Sequence, residues 1–183
     1  MRFLGQSSSL LATAGHTTGD QNIAIWDTLM PQSKTLIHSF VGHPEGATCL
    51  IYLSSGQSIV SGGKHGEVCI WDLRQRQLRS TVKLFDSGAS VRTMCVDANC
   101  DVMAVGSSDG DIKIYSASSA AESSLQLLHH LQSEHSAKGG FSLRQVGSSG
   151  MQGVQQVHVD SQMVLFSCGA DNSLKFRTLP SLI

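Results

Sequence analysis

No apolar run in these 183 residues approaches the roughly 18 needed to span a bilayer, so any membrane association has to be indirect. Neither sign of charge is in excess: 13 Lys and Arg stand against 14 Asp and Glu. No global field therefore recruits nucleic acid or an anionic membrane, and partners must be chosen by local surface. The five cysteines are an odd number with no Cys-x-x-Cys pair, and the opening residues do not read as a signal peptide. That argues against a secreted disulfide framework and for reduced thiols in an intracellular protein. Walker spacing, Gly-x-Gly-x-x-Gly and a nucleophile elbow are all missing. Size is no obstacle, since a chain this long buries roughly 70% of its unfolded surface.

What is present is a repeat. Ser61 to Leu73 reads Ser-Gly-Gly-Lys-His-Gly-Glu-Val-Cys-Ile-Trp-Asp-Leu, a tight polar turn followed by alternating apolar residues and an aromatic-aspartate pair. Degraded copies run over Asp20 to Asp27, Asp109 to Ser116 and Asp171 to Thr178. The turn position falls at Asp20, His65, Asp109 and Asp171, with spacings of 45, 44 and 62 residues. The first two match the period of a propeller blade, and the third is that period plus an insertion. The expected fold class is all-β, a β-propeller segment of about four blades forming the C-terminal part of a larger propeller.

Taken in order, residues 1–41 form a first blade that begins inside its innermost strand, with Arg2 and Phe3 as that strand's tail. Residues 42–86 form a complete second blade and 87–131 a third. Residues 132–153, rich in Gly, Ser and Gln, read as a mobile insertion, because such composition cannot offset chain entropy by burial. Residues 154–183 form a last blade without its outer strand, which in closed rings comes from the opposite terminus and hides a sheet edge. A chain that starts in mid-blade reads as a fragment of a longer protein.

The structural repeat residues are Thr13, Asp20, Trp26, His43, Ser61, Trp71, Asp109, Tyr115 and Asp171. His43 of the Gly42-His43 pair stands 28 residues before Trp71, within the roughly 20 to 30 that separate a Gly-His pair from the Trp-Asp pair in such repeats. Ser61, His43 and Trp71 fit a hydrogen-bonded tetrad in which a turn aspartate accepts from imidazole, imidazole engages hydroxyl, and hydroxyl meets indole. His65 stands at the aspartate's place, so the charged acceptor is expected to be lost. A Ser-His-Asp hydrolase triad is the catalytic alternative, and residues locked in a repeat argue against it. Asp97, Asn99 and Asp101 begin like a calcium loop, but Val102 and Ser108 stand where Gly and Glu are needed, leaving a polar turn. Gly62, Gly63, Lys64 and Gly66 read as a strand-to-strand turn rather than a phosphate cradle. His129, His130 and His135 read as solvated rather than metal-ligating. Arg74, Arg76, Arg79 and Lys83 form a basic run, either a solvated edge or a contact for an acidic partner or phospholipid headgroups. Trp26 and Trp71 share one repeat position and read as packing residues, not stacking platforms for RNA.

These copies resemble tryptophan-aspartate (WD40) repeats. Gly63 to Leu73, Ala104 to Tyr115 and Phe166 to Pro180 resemble the C-terminal propeller of the DmX-like, or rabconnectin, family. That resemblance implies a large vesicle-associated scaffold that promotes assembly of the vacuolar proton pump (V-ATPase) and vesicle acidification. The implied partners are V-ATPase subunits and Rab-regulator proteins, with a cytoplasmic location, peripheral on vesicle or endosomal membranes. The expectation is a non-catalytic protein-docking module without cofactor or metal, and without nucleic-acid binding or direct membrane insertion. An adaptor of a ubiquitin ligase or chromatin complex is the alternative, and a propeller enzyme a more distant one.

Overall fold

The computed structural model describes residues 1–5, 8–19, 21–54, 57–86, 88–99, 101–118, 125–136 and 153–180. Runs rich in Val, Ile, Leu and aromatics, separated by short polar turns, favour strands on local grounds, and strands dominate. β1 (Arg2–Phe3), β2 (Leu10–Ala14), β3 (Ile23–Asp27) and β4 (Leu36–Phe40) form one antiparallel sheet in chain order. β5 (Ala47–Leu53), β6 (Ser58–Gly63), β7 (Glu67–Asp72) and β8 (Gln77–Lys83) form the second. The third comprises β9 (Val91–Val96), β10 (Val102–Ser107), β11 (Ile112–Ser116) and β12 (Leu127–Leu131). β13 (Val154–Val159), β14 (Val164–Gly169) and β15 (Leu174–Thr178) form the last, three-stranded sheet.

The sheets stack face to face, and their innermost strands lie side by side: β1 by β5, β5 by β9, β9 by β13. The result is an open, partial propeller, as the repeat implied. Alternation along each strand sends one set of side chains forward to the next sheet and the other back to the preceding one. Ile23, Ile25 and Phe40 of the first sheet thus meet Leu50, Ile59 and Trp71 of the second. Val60, Val68 and Ile70 of the second meet Met103, Val105 and Tyr115 of the third. Ala104, Ile112 and Ile114 of the third meet Val154, Val157 and Leu165 of the last.

Two strand starts differ from the sequence expectation. The outer strand expected over Lys34 to Val41 begins at Leu36, because Gln32–Lys34 form a 3-10 turn behind Pro31, whose ring holds φ at -55°. The outer strand expected from Leu125 begins at Leu127, and Leu125 instead packs against the core between the second and third sheets. All but Ser118 of the expected polar connection over 118–124 and most of the expected insertion, 137–152, lie outside the described residues, as does Asp20.

Candidate functional site

The turn between β6 and β7 needs a left-handed residue, and Gly66 supplies it at φ +77°. That tight turn sets Glu67 beside the chain entering β5, where His43 lies. His43 Nδ1 is 2.8 Å from Glu67 Oε1, and His43 Nε2 is 2.8 Å from Ser61 Oγ. The Trp71 indole N–H donates to the same Oγ at 2.7 Å. With the proton on Nδ1 every group in the row is satisfied: indole to hydroxyl, hydroxyl to imidazole, imidazole to carboxylate. His43, Ser61 and Trp71 are therefore brought together, and the acceptor is not lost. Glu67, two residues after His65, reaches back with its extra methylene and supplies the carboxylate, while His65 turns outward to Glu45 at 3.3 Å. The Ser-His-acid trio is enclosed between the first two sheets, with Ser61 and His43 fully buried. Gly42 completes the packing: a Cβ there would lie 2.2 Å from the Trp71 ring.

The last sheet holds a second network around a residue whose setting differs from the expectation. His135 is buried rather than solvated. Its Nδ1 lies 3.0 Å from Asp171 Oδ1 and its Nε2 2.9 Å from Ser167 Oγ. Ser173 donates its hydroxyl to Asp171 at 2.7 Å. At the position of Trp71 stands Arg177, whose Nε–H donates to Glu134 Oε1 at 2.8 Å. Glu134 in turn stands at the position of Gly42. Two linked exchanges therefore separate the networks: His65 and Glu67 for Asp171 and Ser173, and Gly42 and Trp71 for Glu134 and Arg177.

Burial alone would raise the Asp171 carboxyl. Hydrogen bonds from the Ser173 hydroxyl, the His135 ring and the Ser173 and Ser136 amides outweigh it and hold the group well below the usual carboxylate range. A folded-state value below the unfolded one, about 3.9, means that this stabilisation is present above that value and is lost as pH falls through it. Asp171→Asn is expected to flatten the fall in melting temperature between about pH 5 and pH 2 relative to the native chain. Equal slopes for the two proteins would assign the acid sensitivity elsewhere.

The networks of the other two sheets are partial. In the first sheet the Trp26 indole donates to Thr13 Oγ1 at 2.9 Å. Asn22, at the place of Glu67, is buried and donates to the His43 carbonyl, which ties this turn to the second sheet. In the third sheet Val105 and Tyr115 replace Ser61 and Trp71. Tyr115 is buried and its phenol is pushed up to about 12 by that burial, while Asp109 lies exposed at the turn. Lys113 donates to the Leu84 carbonyl and Lys175, at the same repeat position, to that of Glu134, so each sheet latches onto the end of the preceding one.

The remaining candidates are dispersed. Asp97 accepts from the amides of Asn99, Asp101 and Val102 at 2.8–3.0 Å, which makes it a turn-forming residue. His130 pairs with Asp111 at 3.0 Å, while His129 is exposed on β12. Arg79 pairs with Asp72 at 2.5 Å, and Arg74 and Arg76 are exposed in the turn before β8. Cys49, Cys69, Cys95 and Cys168 are free thiols, and burial pushes Cys49 and Cys95 up to about 11. Cys100 lies outside the described residues. Among those described, no helix is long and apolar enough to cross a membrane.

Sequence reasoning missed Asn22, Glu67, Glu134, Ser167 and Ser173, and it set His135 in solvent. One signal was available: Ser-x-Gly recurs as Ser61-Gly62-Gly63 and Ser167-Cys168-Gly169, and at Gly63 and Gly169 a Cβ would run into the histidine ring. The other signal, spacing, was hidden. His43 precedes Ser61 by 18 residues, whereas His135 precedes Ser167 by 32.

Comparisons with known proteins agree with this geometry. The family model described as "WD domain, G-beta repeat" matches residues 34–72 and 79–116. DmX-like protein 1 of mouse is 41% identical over 95% of the chain, and its human counterpart 40% over the same span. The chain spans about 5% of the length of these curated relatives. Among solved structures, the C-terminal WD40 domain of Sif2 superposes with a TM-score of 0.72 at 15% identity, covering 98% of this chain and 45% of that one. With WD40 repeats matched from β4 to β11 and four stacked antiparallel sheets, the chain is a WD40-repeat protein related to DmX-like protein 1.

Proposed function

We propose that this chain is a non-catalytic WD40 scaffold that docks other proteins. As kin of DmX-like protein 1, it serves a vesicle-associated scaffold that promotes V-ATPase assembly and vesicle acidification. Its partners are V-ATPase subunits and Rab-regulator proteins, reached from the cytoplasm on vesicle or endosomal membranes. The observation that carries this reading is the 40–41% identity maintained over 95% of the chain. The buried networks support the scaffold part, because Ser61, His43 and Glu67 in one sheet and Ser167, His135 and Asp171 in another engage one another. Such groups fix the sheets and leave recognition to exposed turns on a rigid stack.

The test is quantitative mass spectrometry of proteins co-purifying with the chain from cell lysate, with Trp71→Arg as the misfolded control. V-ATPase or Rab-regulator subunits enriched over the control are expected. Ubiquitin-ligase or chromatin subunits in their place would move the chain to another complex, and chaperones equal in both samples would sink the docking role of this segment.

A further inference from the structure

Between the first two sheets, beside β4, lies a hollow of about 110 Å³ lined by Leu4, Leu10, Ile25, Ile37, His38 and Leu73. No carboxylate lines it, and Arg76 completes the wall. Both walls belong to sheets that already pack on each other through Ile25, Phe40, Leu50 and Trp71, so the hollow lies within a formed junction. At the next junction the same place is filled. The equivalents of Leu4, Ile25 and Leu73 there are Leu53, Ile70 and Ala117, and Leu125 packs against the cluster that holds all three. The Ser116 amide donates to the Gln126 carbonyl at 3.0 Å, which keeps the chain ahead of β12 next to Ala117. Leu125 stands two residues before Leu127, which pairs with Tyr115. In the second sheet Leu78 pairs with Trp71, so the residue in register with Leu125 is Arg76. Arg76 is exposed, at a left-handed φ of +55°, and leaves the hollow open.

Resting on the docking role above, we propose that this groove takes an extended acidic segment of a partner protein, with one aliphatic side chain in the hollow and carboxylates on Arg74 and Arg76. Leu125 is the internal precedent for the anchor, since the equivalent junction accepts a leucine from a stretch of chain that is not yet strand. Size agrees: a cavity of about 150 Å³ admits benzene, so this one takes a single leucine-sized group. Apolar surface continues outward on both sides of the opening. Ile37 is 39% exposed, and Leu78, on the face of the second sheet that carries Trp71, is 42% exposed. Charge decides the flanks. Arg79 is taken up by Asp72, whereas Arg74 and Arg76 are exposed and, among the described residues, have no carboxylate within ion-pair distance. The buried anchor then supplies affinity, and the two arginines orient the segment and reject basic sequences. Lipid headgroups would meet the arginines but leave the hollow empty.

Random peptides displayed on phage and selected on the immobilised chain are expected to converge on a leucine, isoleucine or methionine flanked by Asp and Glu. Arg76→Glu and Ile37→Glu change exposed residues, and both are expected to keep the native circular dichroism spectrum and to lose the selected peptides. A synthetic copy of the most enriched peptide is expected to bind Arg76→Glu about tenfold more weakly than the native chain. Replacing its aliphatic anchor by alanine is expected to cost about tenfold as well. Enriched peptides that bind both variants as tightly as the native chain would overturn the groove and leave the docking role standing, whereas no enrichment at all would overturn both. Phosphatidylserine vesicles that bind the native chain but not Arg76→Glu, with no acidic peptide enriched, would give the arginines to a membrane instead. A native dimer in light scattering that Arg76→Glu splits would give the groove to a second copy, and either result would overturn the proposal.

Discussion

Trp71→Arg is expected to unfold the second sheet. Removing the buried indole costs about 3–5 kcal/mol by lost packing alone, and the guanidinium arrives at a site 1% exposed, beside Gly42, the Phe40 ring and the Ser61 hydroxyl. A buried charge without a partner adds several kcal/mol more, against a whole-domain stability of about 5–15 kcal/mol. The last sheet contains the compensated version of the same change, since Arg177 stands at this position with Glu134 where Gly42 stands. The double variant Gly42→Glu with Trp71→Arg is therefore expected to recover part of the loss. Urea melts followed by circular dichroism read both effects. A Trp71→Arg midpoint equal to that of the native chain would mean that the indole does not carry the interface, and a double variant no better than the single would separate the two exchanges.

His135→Ala is the second large effect. It leaves the buried Ser167 hydroxyl without its partner at a cost of about 1–3 kcal/mol, while Asp171 keeps its Ser173 and Ser136 donors; with the packing of the buried ring lost as well, about 2–4 kcal/mol is expected in all. His129→Ala, six residues away on an exposed position of β12, is expected to stay within about 0.5 kcal/mol of the native chain. Hydrogen exchange locates the effect: β13 to β15 should lose protection in His135→Ala before β5 to β8 do. Equal effects for the two histidines would return His135 to the surface role that composition suggests.

The contrast between these two residues shows where reading a sequence stops. Local composition around 132–136 is polar and Gly-Ser rich beyond it, the usual mark of a segment unable to bury itself. Burial is decided by the partner surface, however. Gly169 leaves a hollow in β14 and Asp171 waits at the turn, 34 and 36 residues further on, so a histidine from a weakly apolar stretch is drawn into the sheet interface. The expected loss of the carboxylate at His65 failed for a related reason. A repeat alignment assigns a role to a position, whereas a hydrogen bond requires only an atom within reach, and Glu67 reaches from two residues on.

The period of 44–45 residues, the polar turns and the alternation on either side determined by themselves the strands, their antiparallel order and the propeller class. Each of these follows from backbone geometry and near-neighbour burial, which a linear pattern encodes. Tertiary structure alone decided which side chains complete the buried networks, and that Arg177 and Glu134 exchange together for Trp71 and Gly42. Those properties depend on which sheet faces which, a relation between residues distant in the chain that no single repeat carries.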